Sequence, residues 1–256
     1  MKSITLIMEV LKKKSKYFKI ITDANNYGLY IIIVILTTFL NSYNLGSSLS
    51  FDKAFSLFIT TRFYVIILML FMFFSTNQII NYFEKNYSFS IRLSNKNKYI
   101  KEIVKFSTLS NLIFFVIYIL ISVSFVILKS GSFNNFNYIE TYKIPLYLYN
   151  IILLIKYFVI INYLSIFGIL IHKSNFKIVS YIYYIILLII YYNSSINTNI
   201  INGFSIKDLL FYTYLSPLEY TSLINEINNF IIVSIIYYLI FNIMSYLLLK
   251  FMKVKV

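Results

Sequence analysis

Residues 147–171 read YLYNIILLIKYFVIINYLSIFGILI. One charge, Lys156, interrupts an otherwise uncharged run. A bilayer core of about 30 Å is crossed by roughly 20 mostly apolar residues in a helix. A barrel strand would be near 10 residues long and would alternate strictly between apolar and polar. This run is longer and continuous, so it predicts a transmembrane helix. Working outward, the same criterion selects residues 27–43, built on Tyr30-Ile31-Ile32-Ile33-Val34-Ile35-Leu36, and residues 55–80, 106–128, 178–192 and 230–249. The expectation is an all-α membrane protein of six spans, forming a single transmembrane domain over residues 1–256.

Composition agrees. The chain is 59% hydrophobic and 12% charged, against about 25% charged in a typical soluble domain. A soluble fold could not cover this much apolar surface with so few charges. Tyr and Phe are abundant, with 26 and 25 copies. A/T-rich coding explains that more simply than an aromatic ligand cage. The net charge of +14 would suggest nucleic acid in a soluble protein. Here the cations sit in short segments between apolar runs, which points to membrane headgroups and to no nucleic-acid partner.

Those cations alternate with the spans. The first 26 residues hold Lys2, Lys12, Lys13, Lys14, Lys16 and Lys19. The segment after the second span holds Lys85, Arg92, Lys96, Lys98, Lys101 and Lys105; Lys173 and Lys177 follow the fourth, and Lys250, Lys253 and Lys255 close the chain. Seventeen cations fall on one side and five on the other, namely Lys53, Arg62, Lys129, Lys143 and Lys207. The positive-inside rule then places both termini in the cytoplasm; the expected location is the plasma membrane of a bacterium.

No secretory signal is apparent in the first 26 residues. Ile4, Ile7, Met8 and Leu11 recur at helical spacing before a lysine cluster. That pattern suits an amphipathic interface helix on the inner leaflet; a disordered basic tail is the alternative. Two connecting segments are long: 81–105, which is basic, and 193–229. The second contains the apolar piece DLLFYTYL at 208–215, too short to span and suited to a re-entrant or interfacial element.

Several chemistries are excluded. There is no Gly-rich phosphate loop, so no ATP hydrolysis of the usual design. With no Cys and one His, His172, no metal site or cofactor is expected. His172 reads as a headgroup-level residue. Within the spans, Arg62 and Lys156 are the charged candidates. Arg62 can snorkel to an interface, whereas Lys156 lies deeper. No acid falls within the six segments, which weighs against cation-coupled transport. Asn77, Asn111 and Asn162 supply uncharged polarity, the usual glue between membrane helices.

Two stretches rise above this background. Residues 91–101, IRLSNKNKYIK, can form a short amphipathic helix across the inner membrane face. Residues 214–220 read YLSPLEY. The chain resembles the membrane subunits of ABC-2-type transporters. Those permeases carry an Arg-x-x-Ser-(Arg/Lys)-x-x-(Tyr/Trp) stretch between spans two and three, echoed here by Arg92, Ser94, Lys96 and Tyr99. They also carry Leu-(Ser/Thr)-Pro-Phe-x-Tyr before the last span, echoed by Ser216, Pro217, Glu219 and Tyr220, with Leu218 in place of Phe. The resemblance implies that Arg92, Ser94, Lys96, Lys98, Tyr99 and Lys101 dock an ABC ATPase subunit. It implies that the segment around Pro217 caps a translocation path, and that a second permease copy or a homologue completes the transporter. The chain would then be no enzyme itself, but the permease of an exporter for a hydrophobic or amphipathic peptide or lipid-like cargo. An immunity or scaffold protein that acts sterically is the chief alternative, and an intramembrane enzyme the other.

Overall fold

The computed structural model describes residues 27–42, 50–60, 62–85, 96–129, 137–140, 142–173, 177–193 and 222–251. Seven helices account for nearly all of them. They are α1 (Tyr27–Ser42), α2 (Phe51–Thr60), α3 (Arg62–Lys85), α4 (Lys96–Lys129), α5 (Leu146–Lys173), α6 (Lys177–Asn193) and α7 (Leu223–Phe251). A two-stranded antiparallel hairpin, β1 (Tyr138–Ile139) with β2 (Ile144–Pro145), precedes α5. Helices satisfy every internal backbone group without water, the condition lipid imposes. Stray hydroxyls do likewise: Thr76 donates to the Met72 carbonyl at 2.9 Å and Ser122 to that of Tyr118 at 2.7 Å.

Four helices are long and apolar enough to cross a membrane: Val65–Glu84 in α3, Lys98–Leu128 in α4, Leu146–His172 in α5 and Leu223–Leu247 in α7. Their length and composition make this a membrane protein. Apolar pieces of α1 and α6, Tyr30–Phe39 and Ile178–Ile189, are shorter.

The second expected span, 55–80, is two helices. α2 stops at Thr60 and α3 starts at Arg62. α2 is 10 residues long and buries Ala54, Phe55, Phe58 and Ile59 against the bundle, mainly against α5 and α4. Hydropathy cannot separate a short buried helix from the start of a span, because both are apolar. The expected amphipathic element at 91–101 also differs. From Lys96 onward it is the opening of α4, one unbroken helix of 34 residues. The last span, expected at 230–249, begins earlier, at Leu223. The interface helix expected over 1–26 and the re-entrant element of 193–229, except its last residues, lie outside the described residues, as do Arg92, Ser94, Ser216, Pro217, Glu219 and Tyr220.

The core forms where α3, α4 and α5 meet, with α1, α2 and α6 against them. Aromatic rings supply much of its bulk. Tyr30 lies 4.6 Å from Phe71 and 4.8 Å from Phe114, and Phe73 stacks on Tyr184 at 4.4 Å between ring centroids. Tyr184 also passes close to Gly168, where a Cβ would lie 1.9 Å from its hydroxyl. Only the absence of a side chain lets α5 and α6 approach there.

A smaller cluster marks one end of the bundle. Ile79, Ile80 and Phe83 of α3 meet Ile103 and Phe106 of α4, Ile166 and Ile169 of α5, and Phe241 of α7. Chain connectivity gathers Lys85, Lys98, Lys101, Lys105, Lys173 and Lys177 at this end. We call it the basic end. The opposite end is closed by Asp52 in the first turn of α2. Its buried carboxylate accepts from the Asn137 backbone N–H at 2.6 Å, from Asn137 Nδ2 at 2.9 Å and from the Lys53 N–H at 2.9 Å. Asn150 of α5 donates to the Asp52 carbonyl at 3.1 Å. These bonds pin the hairpin over α2. Pro145 keeps Ile144 extended, so that α5 starts at Leu146.

Candidate functional site

Polar side chains inside this apolar bundle are its chemically distinctive groups, and they lie on three levels of α5. The first is an ion pair. Lys156, ten residues into α5, meets Glu226, in the first turn of α7. The ammonium Nζ donates to Glu226 Oε1. The Tyr149 hydroxyl, two turns before Lys156, reaches both carboxylate oxygens at 3.3 Å. Tyr149, Lys156 and Glu226 are all buried, at 1%, 1% and 0% exposure. An isolated charge there would be prohibitively costly; the pair and the hydroxyl together make it tolerable.

The sequence offered Lys156 but no acid to meet it. By composition Glu226 falls in the long segment 193–229 before the last span, where Asn225, Asn228 and Asn229 make the stretch polar. The structure corrects this. α7 begins at Leu223, and Glu226 lies on one helical face with Val233 and Tyr237. That spacing of seven and then four residues was present in the sequence. The rest of α7 is apolar on all sides, so no contrast in polarity drew attention to the face.

One to two turns further along α5 lies a polar layer. Asn111 of α4 donates through Nδ2 to Asn162 Oδ1 at 2.9 Å and to Ser165 Oγ at 2.8 Å. Asn162 Nδ2 reaches Thr108 Oγ1 at 3.4 Å. Ser75 of α3 and Ser110 of α4 share a bond of 2.6 Å, and Tyr184 of α6 donates to the Ser165 carbonyl at 2.9 Å. Asn162 therefore belongs to a network, as interhelical glue requires. Asn77 is buried in the same stretch of α3, and its side-chain carbonyl oxygen has no hydrogen-bond partner among the described residues.

The third level is at the basic end. His172, one residue from the end of α5, is buried within the protein at 2% exposure. Its Nδ1 lies 3.3 Å from Ser180 Oγ of α6, and its Nε2 lies 3.5 Å from Glu84 Oε1 of α3. A hydroxyl, an imidazole and a carboxylate in that order could suggest acyl transfer. Ser180 is fully buried, however, so no substrate carbonyl can reach it. The three side chains serve to tie α3, α5 and α6 together. Among the described residues no three His, Asp or Glu side chains group to hold a metal ion.

No protein family, curated protein or solved structure matches this chain. The site is therefore argued on its own geometry. Of the residues expected to dock a partner, Lys96 opens α4, Lys98 and Lys101 are exposed on its first turns, and Tyr99 packs edge-on to Phe83 at 6.0 Å. Arg62 opens α3. The described site residues thus fall into two groups. Lys156, Asn162 and Asn77 line the interior, and Lys98, Tyr99 and Lys101 stand at the basic end.

Proposed function

We propose that this chain is the membrane-spanning permease subunit of an ATP-driven exporter of the ABC-2 type, with a separate ATPase subunit supplying the energy. The observation that supports this is the length of α4. Its 34 residues amount to about 51 Å of helix, against about 30 Å of hydrocarbon. The excess carries Lys98, Lys101 and Lys105 out of the basic end, with no joint between them and the apolar part of the helix. A partner that binds this basic projection and moves with its nucleotide cycle would push directly on Ser110 and Asn111, and through them on α3 and α5. A rigid lever ending in an interhelical polar network suits mechanical coupling.

In this reading α1 and α6 cross the membrane as well, giving six spans. The basic end faces the cytoplasm of a bacterium, and both termini lie there. Residues 92–101 dock the ATPase, and the segment around Pro217 caps the path on the outer side. A second copy or a homologue completes the transporter. The cargo is a hydrophobic or amphipathic peptide or a lipid-like molecule, in keeping with the apolar, aromatic surfaces of the helices. The test is reconstitution in liposomes with a fluorescent hydrophobic peptide and ATP. ATP-dependent movement is expected only when the cognate ATPase is added. Full transport by this chain alone would overturn the proposal.

A further inference from the structure

At the basic end, α4 and α7 line an open groove of about 420 Å³. One wall carries Lys101 and Lys105, one turn apart on α4; the other carries Ser245 and Tyr246 of α7. The floor is apolar, with Val104 and Phe241. Both lysines are exposed, and neither has an ion-pair partner among the described residues. Glu102, the adjacent acid, does not line the groove. The Ser245 hydroxyl is buried and has no hydrogen-bond partner among the described residues.

From the geometry of this groove we infer that it binds an anionic phospholipid. Depth supports this first. Lys129 ends α4 on the far side. Lys105 stands about 36 Å from it along the helix, just beyond a hydrocarbon core of about 30 Å and within the headgroup layer; Lys101, at about 42 Å, lies just outside that layer, and its long side chain can reach back to it. Tyr246 reaches the same level on α7, about 35 Å from Leu223. Charge supports it second: two ammonium groups one turn apart, without an ion-pair partner among the described residues, match a phosphodiester, and the Ser245 and Tyr246 hydroxyls can donate to its oxygens. Shape is the third support. Ile100, Val104 and Phe241 give the groove an apolar lining against which the start of an acyl chain would pack. A neutral lipid would leave both lysines without a counter-charge. A bound lipid would also fill the gap between α7 and the rest of the bundle at this end, where Phe241 is the residue of α7 that packs into the terminal cluster.

The chain has no Trp, so Phe241→Trp creates a single fluorescent reporter in the groove. The variant goes into phosphatidylcholine vesicles containing either phosphatidylglycerol or phosphatidylcholine brominated on an acyl chain. Quenching should show about a thirtyfold preference for the anionic lipid, as two interfacial lysines would give at about 1 kcal/mol each. The preference should fall to near unity with Lys101→Gln and Lys105→Gln together. A reporter at Leu120, on the lipid-facing far half of α4, should show none. Equal quenching by both lipids at Phe241→Trp would overturn the inference. So would relief of quenching by excess inorganic phosphate, which would mark a site for the free ion. Should Phe241→Trp fail to fold, native mass spectrometry of the unaltered chain from mixed-lipid nanodiscs decides. Retained phosphatidylglycerol, lost in the double Gln variant, supports the site. Equal retention of phosphatidylcholine overturns it.

Discussion

α5 and α7 are nearly the same length, 28 and 29 residues, and both are predominantly apolar. The bundle treats them oppositely. The spanning part of α5 is 61% buried, that of α7 only 11%. Apolarity decides whether a helix can enter a bilayer; it does not decide what the helix packs against. The polar residues make that choice. α5 carries Asn150, Lys156, Asn162, Ser165 and His172, and between them they contact α2, α7, α4, α6 and α3. α7 sends one charged side chain inward, Glu226, while its Asn242 bonds back to the Tyr238 carbonyl of the same helix. One helix is a hub and the other a peripheral span. The peripheral span is held by an ion pair at its start and by Tyr237, which packs on Tyr163 and Phe167.

The comparison is most easily broken at the ion pair. Lys156→Met or Glu226→Gln leaves the other charge buried and alone, at a cost of about 3–5 kcal/mol. Lys156→Met together with Glu226→Leu should recover most of that loss. Thermal unfolding in detergent measures all three, and singles as mild as the double would mean the charges are not buried together. Gly168→Ala comes next. The new methyl would displace Tyr184 from Phe73 and from the Ser165 carbonyl, and overpacking of this kind costs about 1–3 kcal/mol. Asn111→Leu removes both bonds into α5 and should cost about 1–2 kcal/mol. The smallest effect is expected on α7. Ile236→Ala, on its exposed face, should change stability by less than about 0.5 kcal/mol. A larger loss would show that α7 is covered by something other than lipid.

Much of this was legible in the sequence, and the failures share a cause. Residues 147–171 anticipated α5 to within two residues at each end, because the lysine and asparagines there are too sparse to dilute the apolar run. Segment 230–249 missed the first two turns of α7 because four polar residues crowd 225–229. In the structure one of the four, Glu226, is turned inward onto Lys156. Segment 55–80 joined α2 and α3 because the end of one and the start of the other are both apolar, so hydropathy does not separate them. The alternation of cations did foresee that one end of the bundle would gather the lysines. Lys156 and Asn162 stood out as intramembrane polar residues, but their partners depend on helix rotation, which composition does not encode. The tie from His172 to Ser180 and Glu84 was hidden for the same reason.

The most direct test of the permease reading is gentle detergent extraction of the tagged chain from its native host, with the co-purifying chains identified by mass spectrometry. The account predicts a soluble chain bearing a phosphate-binding loop, in stoichiometric amount, that is lost when Lys96 and Lys98 are changed to Glu. Recovery of the chain without any ATPase under several mild conditions would contradict it.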